Sequence, residues 1–178
     1  LNSEQSAIVE EVQLDGAFYP ALIFGITGSG KTEVYLHLME KVLLRDPEAQ
    51  VLLMVPEINL TPQLVEKVQS RFPQFEVVSW NSGMAEGQKA SSWLACHEGR
   101  ARILVGTRLS VFASFKSLKL ILVDEEHDPS FKSQEGVRYN ARDLALKRAS
   151  IEQIPIVLGS ATPSLESYKN ALEGKFKL

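Results

Sequence analysis

The run Gly25-Ile26-Thr27-Gly28-Ser29-Gly30-Lys31-Thr32 fills every fixed position of the pattern G-x-x-x-x-G-K-[ST]. It lies between an apolar stretch and a helix-forming stretch that opens at Lys31. The pattern needs a strand to deliver the loop, a backbone that curls tightly, and a helix whose first turn faces the curl. Glycine permits the curl, so that successive N–H groups point at one anion. The helix N-terminus adds partial positive charge at the same place. A phosphate chain fits such a cradle. Thr27, Gly28, Ser29 and Gly30 would line it, Lys31 would reach the β- and γ-phosphates of a nucleotide, and the Thr32 hydroxyl would ligate Mg²⁺.

The apolar pattern of the rest of the chain predicts further strand–helix alternation. Near-continuous apolar runs predict strands at residues 21–26, 51–55, 75–79, 103–105, 120–123 and 156–158. The stretches between them predict helices at 3–14, 31–44, 61–72, 86–97, 141–151 and 164–172. Strands that are apolar throughout suit a sheet covered on both faces. The expected fold is α/β, a mostly parallel sheet with helices on both faces and right-handed crossovers. Residues 1–178 read as one domain, with neither repeats nor a low-complexity linker. Residues 128–140 form the longest polar irregular stretch, which makes them a candidate functional loop.

The apolar run Leu120-Ile121-Leu122-Val123 stops abruptly at Asp124-Glu125-Glu126-His127-Asp128. Such a density of carboxylates is self-repelling unless a divalent cation sits beside it. An acid at the end of a neighbouring strand is what a phosphate-loop enzyme uses to hold Mg²⁺, and Asp124 has that place. Glu125 is the candidate general base that orients and activates an attacking water. Glu126 and Asp128 have no expected role beyond solvent-facing polarity.

Other features narrow the function. A GTPase would carry an N-K-x-D guanine reader, and that tetrapeptide does not occur. A small-molecule kinase would want an arginine-bearing lid. Cys96 is the single cysteine, which excludes an intramolecular disulfide and a multi-cysteine zinc site within these residues. No apolar stretch approaches the roughly 18 residues of a membrane span, and a cytoplasmic setting with no membrane partner is expected. The net charge is −3, yet residues 132–148 carry Lys132, Arg138, Arg142, Lys147 and Arg148 against two acids. Such a stretch suits a phosphate backbone or a solvated helix face.

Short motifs occur with the phosphate loop in a set order. They are Val55–Gln63 (VPEINLTPQ), Val105–Arg108 (VGTR), Asp124–His127 (DEEH) and Gly159–Thr162 (GSAT). That order resembles the first RecA-like ATPase lobe of superfamily 2 helicases of the DEAH type. With LNSEQ, GITGSGKTEVYL and DEEHDPSFKSQEGVRYNARDLA, the likeness narrows to the bacterial replication-restart DNA helicases and covers nearly the whole chain.

The resemblance implies Mg²⁺-ATP hydrolysis driving 3′→5′ translocation on DNA at stalled forks. It makes Gln5 the reader of adenine, although Asn2 and Gln5 also have the spacing of a helix capping box. It makes His127 a link from the nucleotide site to Ser160-Ala161-Thr162. Thr61 and Arg108 become DNA-backbone contacts, with Thr61 equally suited to cap a helix. Arg138, Tyr139 and Arg142 lie in the segment expected to couple DNA contact to hydrolysis. The alternative there is a surface loop with both arginines on one helical turn.

The resemblance further implies a longer protein. Its partners are forked or single-stranded DNA, a second RecA-like lobe beyond Leu178, and other primosome and single-strand-binding proteins. The present chain alone would then bind nucleotide weakly and hydrolyse it poorly. Competing readings are a lobe of another superfamily 2 translocase, RecG-like or restriction-type, and a non-catalytic ATP-switched binding module.

Overall fold

The computed structural model describes residues 1–25 and 30–178. Among these, six strands form one sheet: β1 (Tyr19–Phe24), β2 (Gln50–Met54), β3 (Glu76–Trp80), β4 (Ala101–Gly106), β5 (Leu118–Val123) and β6 (Pro155–Ser160). Their order is β1-β6-β5-β2-β4-β3, and every neighbouring pair is parallel. The helices are α1 (Ser3–Glu11), α2 (Lys31–Arg45), α3 (Pro62–Arg71), α4 (Glu86–His97), α5 (Ala141–Glu152) and α6 (Leu165–Leu172).

The pleat explains why the strands read as unbroken apolar runs. Successive side chains leave a strand on opposite faces, and both faces are covered. Val51 and Leu53 of β2 join Leu120 and Leu122 of β5 in one core with Val9 of α1, Val34 and Leu38 of α2, and Val68 of α3. Leu52 and Met54, with Ile121 and Val123, join the opposite core, with Ala95 and Cys96 of α4, three alanines of α5, and Ala171 of α6. Ala141, Ala145 and Ala149 recur every four residues, so α5 lays a stripe of small side chains on the sheet.

Each predicted strand is present, with ends shifted by a residue or two. β1 starts earlier than expected because pairing with β6 already begins at Tyr19 and Pro155. The predicted end of the first strand, Ile26, lies outside the described residues. α1 ends at Glu11 rather than at residue 14, and Thr61 and Ser164 stand just outside their helices as N-caps. The loop at 128–140 is less irregular than expected. It holds a 3₁₀ turn at Pro129–Phe131 and an antiparallel bridge between Lys132 and Asn140.

The motif residues gather where the parallel strands end. Gly25 follows β1, Pro56 follows β2, Arg108 follows β4, Asp124 follows β5, and Ser160 closes β6. Ligands of open parallel sheets bind at this carboxyl edge. Because β6 lies between β1 and β5, its last residues touch both motifs. Gly25 N–H donates to Ser160 O at 3.1 Å, and Glu126 N–H donates to Gly159 O at 3.1 Å. At the opposite edge, fully buried Gln50 donates to Cys96 O at 2.8 Å and Ala101 O at 2.7 Å, and accepts from Ser117 N–H at 2.7 Å. Among the described residues no helix is long and apolar enough to cross a membrane.

Candidate functional site

Gly30 opens α2 at φ 80°, where glycine is at ease, and no side chain caps this helix end among the described residues. A helix start of this kind can receive an anion. Lys31, 8% exposed, folds back so that Nζ donates to Gly25 O at 2.9 Å. The same Nζ lies 3.9 Å from Glu125 Oε1. Thr27, Gly28 and Ser29, expected to cradle phosphate, lie outside the described residues.

Asp124 leaves β5 with its N–H bonded to Met54 O at 2.9 Å. Its Oδ1 accepts from Tyr35 Oη at 2.9 Å. Burial raises the Asp124 pKa above the ordinary carboxylate value, with Glu125 adding to the rise while the Tyr35 bond and Lys31 oppose it. Burial also drives the Tyr35 phenol well above its usual value, with Asp124 adding to the effect, so Tyr35 is held as a donor.

The next residue, Glu125, has φ 47°, which a side chain with a Cβ adopts at a cost of about 1–3 kcal/mol. The twist turns the chain at once out of the strand. Glu125 Oε2 then lies 3.7 Å from His127 Nδ1. A cavity of about 240 Å³ is lined by Gly30, Lys31, Thr32, Glu33, Lys67, Asp124 and Glu125. It therefore brings together one ammonium, two acids and one hydroxyl from the two strongest motifs of the sequence.

His127 meets the last residue of β6. His127 Nδ1 lies 2.5 Å from Ser160 Oγ, and that oxygen also accepts from Thr162 N–H at 3.0 Å. Ala161 sits between these two anchors. For Gln5 the structure shows the capping-box alternative. Its Oε1 accepts from Asn2 N–H at 2.9 Å while its own N–H donates to Asn2 Oδ1 at 2.8 Å, completing the capping box. Its Nε2 meanwhile reaches Gly30 O at 3.5 Å, so the amide lies against the start of α2.

Glu126 corrects the sequence reading. It is 1% exposed rather than solvent-facing. Its carboxylate accepts from Arg142 Nη1 at 3.0 Å, Ser164 N–H at 2.7 Å, Ser164 Oγ at 3.2 Å and Ser167 Oγ at 3.0 Å. One buried acid thus ties the end of β5 to the first turns of α5 and α6. Asp128, also left without a role, caps the 3₁₀ turn by accepting from Ser130 N–H at 2.8 Å.

Arg142 is the second correction. It is 5% exposed, with its guanidinium spent on Glu126, Asp143 and Ser164 Oγ. Burial works to lower its pKa, but the bonds to Glu126 and Asp143 outweigh this, and the group stays charged. It is therefore not presented to a DNA backbone. Nor do Arg138 and Arg142 share a helical turn, because α5 begins at Ala141.

The remaining DNA candidates differ in availability. Arg138 is exposed in the loop. Tyr139 meets Phe112 edge-on, with ring centroids 5.4 Å apart. Arg108 Nη1 donates to Lys132 O at 3.2 Å, which ties its turn to the same loop. Thr61 Oγ1 accepts from Leu64 N–H at 3.2 Å, so the capping alternative is realised. A larger polar cavity of about 730 Å³ opens beside this loop, between Lys132, Arg138, Tyr139 and Glu166.

Sequence reasoning missed Tyr35 and Glu126. Tyr35 had a signal: it is one turn beyond Lys31, four residues on, and so shares its helix face. Glu126 had none, since neighbouring acids look alike by type.

Residues 2–171 match the DEAD/DEAH box helicase family. The chain is 45% identical over 181 residues to the replication restart protein PriA of Bacillus subtilis (strain 168), covering 100% of this chain and 22% of that protein. It is 41% identical over 177 residues to the PriA of Haemophilus influenzae, covering 99% of this chain and 24% of that protein. The chain thus spans about a quarter of the length of these relatives. In fold it is similar to RecG bound to a three-way DNA junction, with TM-score 0.68, 22% identity, and coverage of 98% of this chain and 22% of that one. The helicase MrfA bound to DNA and AMPPNP gives TM-score 0.70 at 17% identity, covering 98% of this chain and 26% of that one.

Proposed function

The chain belongs to the DEAD/DEAH box helicase family, and from that premise we propose that residues 1–178 are the first ATPase lobe of a bacterial replication-restart DNA helicase. The observation that carries this reading is the cavity at the carboxyl edge of the sheet, where Lys31, Thr32, Asp124 and Glu125 converge. The donor set suits Mg²⁺, which is held by one or two carboxylates together with water and substrate phosphates rather than by a protein cage. Among the described residues no cluster of three or more acids, histidines and cysteines forms such a cage.

In this reading Asp124 and the Thr32 hydroxyl hold Mg²⁺, which when bound neutralises charge on the β- and γ-phosphate oxygens. Lys31 exchanges the Gly25 carbonyl for a phosphate oxygen. Glu125 orients the attacking water and takes its proton. Gln5 keeps the start of α2 in register and turns its amide to adenine when the capping box opens. His127 and Ser160, in contact, relay the state of the phosphate site to Thr162 and α6.

DNA runs over the edge that carries Thr61, Arg108, Arg138 and Tyr139. Of these, Arg138 has the most exposed guanidinium for a phosphate, and Tyr139 can stack on a base if it leaves Phe112. A second RecA-like lobe of the same protein supplies arginines to the site, commonly worth about 10³–10⁵ in rate. Primosome and single-strand-binding proteins are its partners in the bacterial cytoplasm, and forked or single-stranded DNA is its substrate. The test is calorimetry of Mg²⁺-ATP binding to this chain. Lys31→Ala should abolish binding, and unchanged affinity would remove the nucleotide assignment.

A further inference from the structure

Tyr35 is 1% exposed, in the middle of the molecule, yet it carries a hydroxyl. A buried hydroxyl without a partner is costly, so the position of its one bond is informative. Among the described residues that partner is Asp124, whose Oδ1 it meets at 2.9 Å. A donor from α2, 89 residues away in sequence, thus orients the carboxylate at the end of β5.

Gly159 supplies the room. A Cβ built there would collide with the Tyr35 hydroxyl, so the ring can extend to Asp124 only because β6 has no side chain at that point. Gly159 is followed by Ser160, which bonds His127. The phenol thus stands where the first helix turns after the phosphate loop, the end of β5 and the end of β6 meet.

We propose that Tyr35 is a positioning residue for the metal site: its hydroxyl holds the Asp124 carboxylate in the one orientation that presents it to Mg²⁺ beside Thr32. This rests on the nucleotide reading above. Partners that orient a metal ligand are typically worth 10–100-fold in metal affinity. A hydroxyl that served only to fill the core would affect folding and leave metal dependence alone.

The experiment titrates Mg²⁺ against binding of a fluorescent ATP analogue to the chain, in wild type, Lys31→Ala and Tyr35→Phe. Thermal midpoint and circular dichroism are followed for each. Tyr35→Phe keeps the ring and removes one oxygen. The expected result is a rise of about tenfold in the Mg²⁺ concentration that gives half its effect. Nucleotide affinity without Mg²⁺ should change by less than about twofold, because the Tyr35 hydroxyl bonds the proposed metal ligand Asp124 and acts through it.

An unchanged Mg²⁺ dependence in Tyr35→Phe, with wild-type binding abolished by Lys31→Ala, overturns this inference alone. A Tyr35→Phe chain that no longer folds overturns it too, since the residue would then be structural. Wild-type binding that is absent, or indifferent to Lys31→Ala, overturns the nucleotide reading and the inference with it.

Discussion

Removing the Arg142 guanidinium should destabilise the protein rather than weaken a DNA contact. The Arg142 and Glu126 side chains are 7% and 0% exposed and meet at 3.0 Å. Breaking a buried ion pair by removing one partner costs about 3–5 kcal/mol, because the other charge is left without compensation. Glu126 would keep its bonds from Ser164 N–H, Ser164 Oγ and Ser167 Oγ, which places Arg142→Ala at the lower end, about 3 kcal/mol. For a chain of this size that is a fall of about 6–12 °C in Tm. Urea denaturation followed by circular dichroism measures it, with Arg138→Ala as the control. Arg138 is exposed, and its removal should stay within about 0.5 kcal/mol. A cycle of Arg142→Ala, Glu126→Gln and the double variant should give a coupling of about 2 kcal/mol. A loss below about 1 kcal/mol in Arg142→Ala, or no coupling in the cycle, would refute the buried-pair argument.

The Cys96 thiol is fully buried, and burial pushes its pKa up to about 12. A thiol reagent at neutral pH should therefore label it only as fast as the chain opens, and labelling within the mixing time would contradict its place in the core. Gln50→Leu should leave Cys96 O, Ala101 O and Ser117 N–H without their side-chain partner, at a cost of about 3 kcal/mol in urea denaturation. A variant as stable as wild type would show that water or a shifted backbone takes over those bonds.

The architecture was legible because burial on both faces writes the inner strands β2, β4, β5 and β6 as largely apolar runs. The pairing partners were not. That β6 separates β1 from β5 depends on contacts far apart in sequence, and that order is what brings Ser160 to His127. The meeting of Lys31 and Thr32 with Asp124 and Glu125 in one cavity was legible because the two motifs carry particular atoms at particular spacings.

Glu126 and Arg142 were not legible as a pair. Charge type marks a residue as polar but says nothing of a partner 16 residues away that permits burial. A partial signal existed for Arg142. Ala145 and Ala149 lie three and seven residues on, so the spacing alone puts Arg142 at the margin of the buried alanine stripe. Of the two Gln5 alternatives the structure shows the capping box, closed by the amide oxygen, while the amide nitrogen reaches Gly30 O.

The central claim is that Lys31, Asp124 and Glu125 form a site that hydrolyses ATP. It is tested most directly by Glu125→Gln in the full-length protein, with Mg²⁺-ATP affinity and DNA-stimulated turnover measured on the same preparation. Glu125→Gln preserves the shape of the side chain and removes the base. Affinity should hold within about threefold, while turnover falls by about 10²–10⁴. Turnover that persists at the wild-type rate would contradict the account and place the base elsewhere.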